Sequence, residues 1–219
     1  MKRGYESERR RAQSEATRRR ILDTARELVI EHGYRGTKIA ELARAADVHV
    51  DTVYELVGRK PVILRELVEQ AISGTDRPVD PLERDYVQQM QAEPDAGCKL
   101  DLYAAAMTRI HGRLAPLFLA LRDASRTDPD AADVWRRISE RRATNMRMLA
   151  AELLATGQVR AGLTTDEVAD MIWVTNSPDV HQLLVSDRGW PEARYRDWLA
   201  DSWRRLLLAD GTATPAVEP

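Results

Sequence analysis

Apolar residues recur every three or four positions along almost the whole chain, the spacing that gathers them on one face of an α-helix. Alternating apolar and polar runs are nearly absent, and no hairpin turn signal stands between β-branched segments. The pattern predicts an all-α protein. A first helix carrying Ile21, Leu22, Ala25, Leu28 and Val29 is expected to start near Ser14 or Thr17 and to stop before Gly33. After the Gly33-Tyr34-Arg35-Gly36 connection, Thr37 is expected to cap a short helix bearing Ile39, Leu42, Ala43 and Ala46. Asp47 and Val48 make a tight turn, and a third short helix with Val50, Val53, Tyr54 and Val57 ends at Gly58. A fourth runs from about Lys60, with Pro61 in its permissive first turn, to Ser73-Gly74.

The stretch from 74 to 96 is rich in Pro, Gly and Asp and reads as a connector, with one helix around Leu82 to Gln91. Longer helices follow. One spans about Ala96 to Ala124 and is expected to kink or split at Pro116. The next opens at Pro129 and ends at Gly157. Another, capped by Thr165, is bent or broken at Pro178, and the last opens at Pro191 and carries Tyr195, Trp198, Leu199, Trp203 and Leu206. The closing GTATPAVEP has no apolar period and is expected to be disordered. The resulting division is a basic flexible arm over 1–16, a three-helix domain over 17–58, a connecting helix over 59–74, a larger helical domain over 75–208, and a tail over 209–219.

Charge changes this picture at one end only. The first 70 residues hold 15 basic and 12 acidic side chains, and the rest hold 18 and 23, so a net charge of -2 conceals a basic head on an acidic remainder. That asymmetry points to a polyanion at the N-terminal end. No run approaches the ~20 apolar residues of a membrane span. The basic start has no apolar segment behind it, as a secretory signal would. The lone Cys98 has no disulfide or zinc partner. A cytoplasmic protein is expected, and the preference for arginine over lysine hints at a GC-rich bacterial genome. Catalysis is not expected: His32, His49, His111 and His181 lack metal spacing, and there is no phosphate-cradling glycine loop or nucleophile motif. No metal or cofactor is expected either.

The informative segment is Thr37 to Leu67. Two short helices joined by a tight turn form a helix-turn-helix, in which Ile39, Leu42, Val48 and Val53 lock the angle and the outer face of the second helix is left to meet base edges in the major groove. The residues His32-Gly33-Tyr34, Thr37, Leu42-Ala43, Ala46-Asp47-Val48-His49, Thr52-Val53-Tyr54, Val57 and Gly58-Arg59-Lys60 resemble, in type and spacing, those of the TetR family of transcription regulators. The likeness covers about residues 17 to 70; the second half matches only in being helical. The chain departs from the family pattern in Asp47 for the turn glycine, His49 for a serine cap and Val57 for a phenylalanine, and in the carboxylates of Asp51 and Glu55 on the reading helix.

The resemblance implies phosphate contacts from Thr37, Tyr54 and Lys60, with Lys38 beside them, and base contacts from His49, Val50, Asp51, Thr52 and Glu55. Arg18-Arg19-Arg20 and the arginines upstream are expected to add backbone or minor-groove contacts. It also implies a small effector bound inside the second domain that shifts the fourth helix and releases a double-stranded DNA operator. Candidate pocket residues are Tyr103, Met107, His111, Phe118, Trp135, Asn145, Trp173 and Asn176, which set a few polar groups among apolar and aromatic ones. A homodimer is expected, because one helix-turn-helix reads only a half-site. Thr165 to Ser186 and Pro191 to Leu208, with Trp198, Trp203 and Leu206, are the expected interface. An activator, a ligand-independent architectural DNA binder and a helical adaptor are the alternatives.

Overall fold

The computed structural model describes residues 2–75, 80 and 83–209, with side chains from residue 8 onward. The tail over 210–219 and the expected helix start at Leu82 lie outside the described residues. Ten α-helices and one π-helical segment are described, in the order α1 (Lys2–Gly36), α2 (Ile39–Ala45), α3 (Val50–Leu56), α4 (Lys60–Ser73), α5 (Asp85–Ala92), α6 (Ala96–Ala124), α7 (Pro129–Ala155), α8 (Thr165–Thr175), α9 (Pro178–His181), the π-segment Gln182–Asp187 and α10 (Glu192–Leu207). Among the described residues the only β pairing is an isolated bridge between Val159 and Leu208. The all-α expectation holds.

Several local expectations are revised. The segment expected as a flexible arm is helical from Lys2 onward. Residues 8–16 supply the reason: Arg, Glu, Gln and Ala are strong helix formers, no β-branched residue interrupts them, and Arg11 pairs with Glu15 one turn on at 3.3 Å. Gly33 then leaves helical geometry at φ 68° and ψ 175°, which re-aims the chain before α2. The Gly33 carbonyl accepts both the Thr37 amide (3.2 Å) and the Thr37 hydroxyl (2.9 Å), so Thr37 does not cap α2. The cap position is Lys38, whose side chain makes no capping bond. Likewise Thr164, not Thr165, caps α8, through a reciprocal box with Glu167. Pro116 does not split α6 into two helices. The burial of Leu114, Ala115, Leu117 and Phe118 on either side of it holds the helix together despite the lost backbone bond.

The helix-turn-helix forms, but of the four residues expected to lock it only Leu42 and Val53 are buried, Ile39 and Val48 being half-buried. Leu42, Ala43, Ala46 and Val53 are at most 2 % exposed and make the wedge between α2 and α3. Asp47 takes φ 52° at the turn, the left-handed conformation that a glycine adopts freely and that Asp tolerates better than most residues. Asp47→Ala is therefore expected to cost about 1 kcal/mol, and Asp47→Gly is expected to be near neutral; urea unfolding midpoints that rank the two the other way would contradict this account of the turn.

The chain divides into two compact units, and the division is not the one the linear pattern suggests. The first comprises residues up to Pro78 together with Pro116–Trp135; the second comprises Val79–Ala115 and everything from Arg136 on. In the first unit the α6–α7 junction is fastened to the N-terminal helices. The Tyr34 phenol donates to Asp128 (2.6 Å), Arg35 donates to Thr127 (2.7 Å), and Arg59 faces Asp130 (3.7 Å). In the second unit Leu100, Leu153, Val168, Ile172, Tyr195, Leu199, Trp203 and Leu207 form a core with essentially no exposure. Trp203 belongs to that core and donates from its indole to the Thr175 hydroxyl (2.6 Å), so it is not the surface residue the interface expectation required. Leu206 is 39 % exposed, and Val174 (64 %) and Leu183 (57 %) are the larger apolar surfaces on this part of the unit.

Candidate functional site

The candidate reading surface is the outer face of α3. Val53 points inward with no exposure, and Val57 is buried just after the helix, so the positions between them must face out. Tyr54 is 48 % and Val50 38 % exposed; His49, Asp51 and Glu55 are exposed and Thr52 half-buried. Tyr54 is thus a surface residue, not core packing. An exposed valine and tyrosine beside two carboxylates make a face suited to apolar contact with a thymine methyl and to accepting from a cytosine amino group.

The flanking candidates are placed differently. Lys38 is exposed. Thr37 is 3 % exposed and its hydroxyl is committed to Gly33. Lys60 is half-buried, with Nζ 4.1 Å above the Tyr34 ring, and burial lowers its pKa while Asp128 counteracts. The hydrogen bond from Tyr34 holds the Asp128 carboxylate below its usual range and, with burial, raises the phenol. Two arginines expected on DNA also make bonds within the unit: Arg18 to Glu66 and the Leu56 carbonyl, and the exposed Arg20, through Nε, to the Ala46 carbonyl (2.9 Å). They tie α1 to the turn and to the end of α3.

In the second unit a polar cluster is buried among aromatic rings. The Tyr103 hydroxyl accepts from Asn176 Nδ2 (2.7 Å) and donates to Met146 Sδ (3.6 Å), and the Tyr103 ring lies 5.3 Å from that of Trp203. His111 Nδ1 and the Tyr195 hydroxyl are 3.1 Å apart. The His181 ring stands edge-on, 5.9 Å from His111 and 5.0 Å from Tyr195. Neither ring nitrogen of His181 nor Asn176 Oδ1 has a hydrogen-bond partner among the described residues, although both residues are at most 4 % exposed. Arg142 donates to the carbonyls of Trp173 and Asn176 and lies 4.1 Å over the Trp173 ring. Its charge reaches Tyr103, His111 and Tyr195 alike, so these groups share one electrostatic neighbourhood.

Burial keeps the cluster neutral apart from Arg142. His111 is pushed down to about 3 by desolvation, with His181 and Arg142 adding to it. His181 is lowered by desolvation against the pull of Glu192, and both phenols are raised by desolvation. Of the eight pocket candidates, Tyr103, His111 and Asn176 fall in this cluster, and Trp173 stacks at its edge on Arg142. Met107 is buried on α6, and Asn145 is half-buried on α7. Phe118 and Trp135 fall in the other unit, with ring centroids 4.7 Å apart. Arg142, Met146, His181 and Tyr195 were missed. In sequence His181 follows a helix-breaking Pro178 and Arg142 sits in an ordinary charged run, so neither carries a local signal.

Residues 21–56 match the profile of bacterial regulatory proteins, tetR family. No curated protein matches the chain. Solved structures with a similar fold include a putative transcriptional regulator from Saccharomonospora viridis in complex with choline, at a TM-score of 0.67 and 22% identity over 90% of this chain and 99% of that one. Another is the transcriptional regulator FadR from Bacillus subtilis in complex with stearoyl-CoA, at 0.67 and 20% over 84% and 96%. A third is a putative TetR-family regulator from Syntrophomonas wolfei, at 0.69 and 14% over 94% and 99%. Residues 21–56 are thus similar to the tetR family of bacterial regulatory proteins, and the chain has the fold of solved transcriptional regulators, a putative TetR-family regulator among them.

Proposed function

We propose that the chain is a cytoplasmic, homodimeric transcriptional repressor that grips an operator through α3 and leaves it when a small molecule occupies the buried polar cluster of the second unit. The observation that carries the DNA half of this reading is the exposed face of α3 opposite a fully buried Val53, at the turn set by Asp47. The ligand half rests on Asn176 Oδ1 and the His181 nitrogens, which are buried polar atoms without partners and thus costly unless something binds them. Neighbours of the same fold hold choline and stearoyl-CoA, so the fold accommodates ligands of different chemistry. Dimer pairing through the exposed Val174, Leu183 and Leu206 would cover apolar surface and set two reading heads a helical turn apart. The same reading head would also serve an activator.

Selection of bound duplexes from a random library tests this at once: a two-fold repeat with half-sites about 10 base pairs apart is expected, and recovery of no preferred sequence would remove the reading. On the selected operator, Tyr54→Ala is expected to weaken binding about tenfold, corresponding to the ~1–3 kcal/mol of a good base or backbone contact. Lys60→Ala should weaken binding to all sequences uniformly and lower the salt dependence. Mobility shifts unchanged in both variants would take these residues out of the interface.

A further inference from the structure

The buried cluster of the second unit is two polar layers with an apolar one between. Helices α6 and α10 run antiparallel there: Arg204 donates to Asp101 (3.1 Å), the Tyr103 ring lies 5.3 Å from that of Trp203, and His111 Nδ1 meets the Tyr195 hydroxyl at 3.1 Å. Tyr103 and His111 are eight residues apart on α6, as Tyr195 and Trp203 are on α10. The two layers therefore stand about two turns, or ~12 Å, apart along the helices. Midway between them lie Met107 and Leu199, both buried. Each polar layer holds one residue with atoms unspent. In the first, Asn176 Nδ2 serves the Tyr103 hydroxyl (2.7 Å) and Oδ1 has no partner among the described residues. In the second, the His181 ring stands 5.0 Å from that of Tyr195, and neither of its nitrogens has a partner among them. Buried polar atoms left this way cost stability until something meets them.

Valence constrains what meets them. Asn176 Oδ1 only accepts, so its partner must donate. A neutral His181 has one nitrogen that donates and one that accepts, so a group able to do both suits that end. A net charge suits neither. The buried guanidinium of Arg142 is committed to the carbonyls of Trp173 and Asn176, and its field reaches Tyr103, His111 and Tyr195, which disfavours a cation. Burial lowers Arg142, and the field of the half-buried Asp179 works against that, so the guanidinium already has a negative neighbour. A carboxylate only accepts and would leave Asn176 Oδ1 facing a negative charge. Glu192, which acts on His181, is exposed and screened by water. We propose that the ligand of this cluster is a neutral, two-ended molecule, with hydroxyl-like groups ~12 Å apart, one at Asn176 and one at His181, and an apolar middle that passes Met107 and Leu199. The inference rests on the cluster being the ligand site and adds the ligand's class.

The test titrates the full chain by calorimetry with four probes of one chain length: 1,8-octanediol, 1-octanol, octanoate and octylammonium. The diol is expected to bind about tenfold more tightly than 1-octanol, the worth of one more hydrogen bond to a buried unpaired group. Both charged probes should bind more weakly than 1-octanol. In Asn176→Leu and, separately, in His181→Leu the diol should lose its advantage over 1-octanol; circular dichroism checks the fold, and the comparison on the unmodified chain stands without either variant. Equal affinity of the diol and 1-octanol, or a charged probe binding tightest, would overturn the class; loss of that probe's binding in His181→Leu would still keep the cluster as the ligand site. If water alone serves the two ends, none of the four binds and the inference falls. Diol binding unchanged in both variants would put the ligand elsewhere and sink the reading of the cluster as well. Diol binding that both variants weaken, but that leaves the operator complex intact in mobility shifts, bears out the class and removes the release mechanism instead.

Discussion

Trp203→Ala is expected to lower the unfolding free energy by about 3–5 kcal/mol, the cost of emptying a fully buried indole site. The ring has no exposure, packs on Tyr103 and anchors its N–H on the Thr175 hydroxyl. For a chain of this size the loss corresponds to roughly 10 °C in Tm. Thr175 is not orphaned by the change, because its hydroxyl also donates to the Met171 carbonyl (2.7 Å), so the cost is chiefly that of the cavity. Thermal and urea unfolding at several protein concentrations separate this from an interface role. A core residue lowers stability at every concentration, whereas a variant that folds with undiminished stability and loses only its dimer would contradict the placement of Trp203.

The second large effect is a loss of stability in mild acid. His111 is held neutral, with a pKa pushed down to about 3, whereas in the unfolded chain it titrates near its ordinary value of 6.5. Below pH 6.5 the unfolded chain takes up a proton that the folded one refuses, so folding stability falls as pH falls, by ~1.4 kcal/mol per unit, and is flat above about pH 7. Between pH 6.5 and 5 His111 alone contributes a loss of about 2 kcal/mol. His181 is shifted in the same direction and adds to it, offset in part by Glu192. Urea midpoints from pH 8 to 5 should therefore decline only on the acid side, and His111→Gln should flatten much of the decline. A midpoint constant down to pH 5 would show that His111 titrates normally and is not buried as described.

Legibility differed between the halves for a physical reason. In the helix-turn-helix segment the determinants of the elements are mostly local: the apolar period of α1 to α4, the left-handed Gly33 and Asp47, and the end at Gly58 lie within a few residues of what they shape. The reading face of α3 could be inferred because Val53 and Val57 fix which side is inward. The internal use of Arg18 could not, since Glu66 lies 48 residues on. In the second unit the pairings that define the cluster join residues 73 and 84 apart, and Tyr103, His111 and Asn176 look from their own helices like any polar-tipped core positions. Phe118 and Trp135 were grouped with them because they share α6 and α7. Those helices outlast the unit, however, and each has one end in the other. The expected interface failed at Trp203 because amphipathicity shows that a face is buried and not against what.

The noncontiguous make-up of the first unit bears on how a chain of this fold can be recombined. A helix-turn-helix segment excised at Gly74 and grafted onto another domain would lose the α6–α7 tip from its own fold. The Tyr34 phenol and the Arg35 guanidinium would be stripped of Asp128 and Thr127, and Lys60 would lose the carboxylate that steadies its charge. A working chimera must carry Pro116–Trp135 along with the head, splicing inside two helices instead of at a loop.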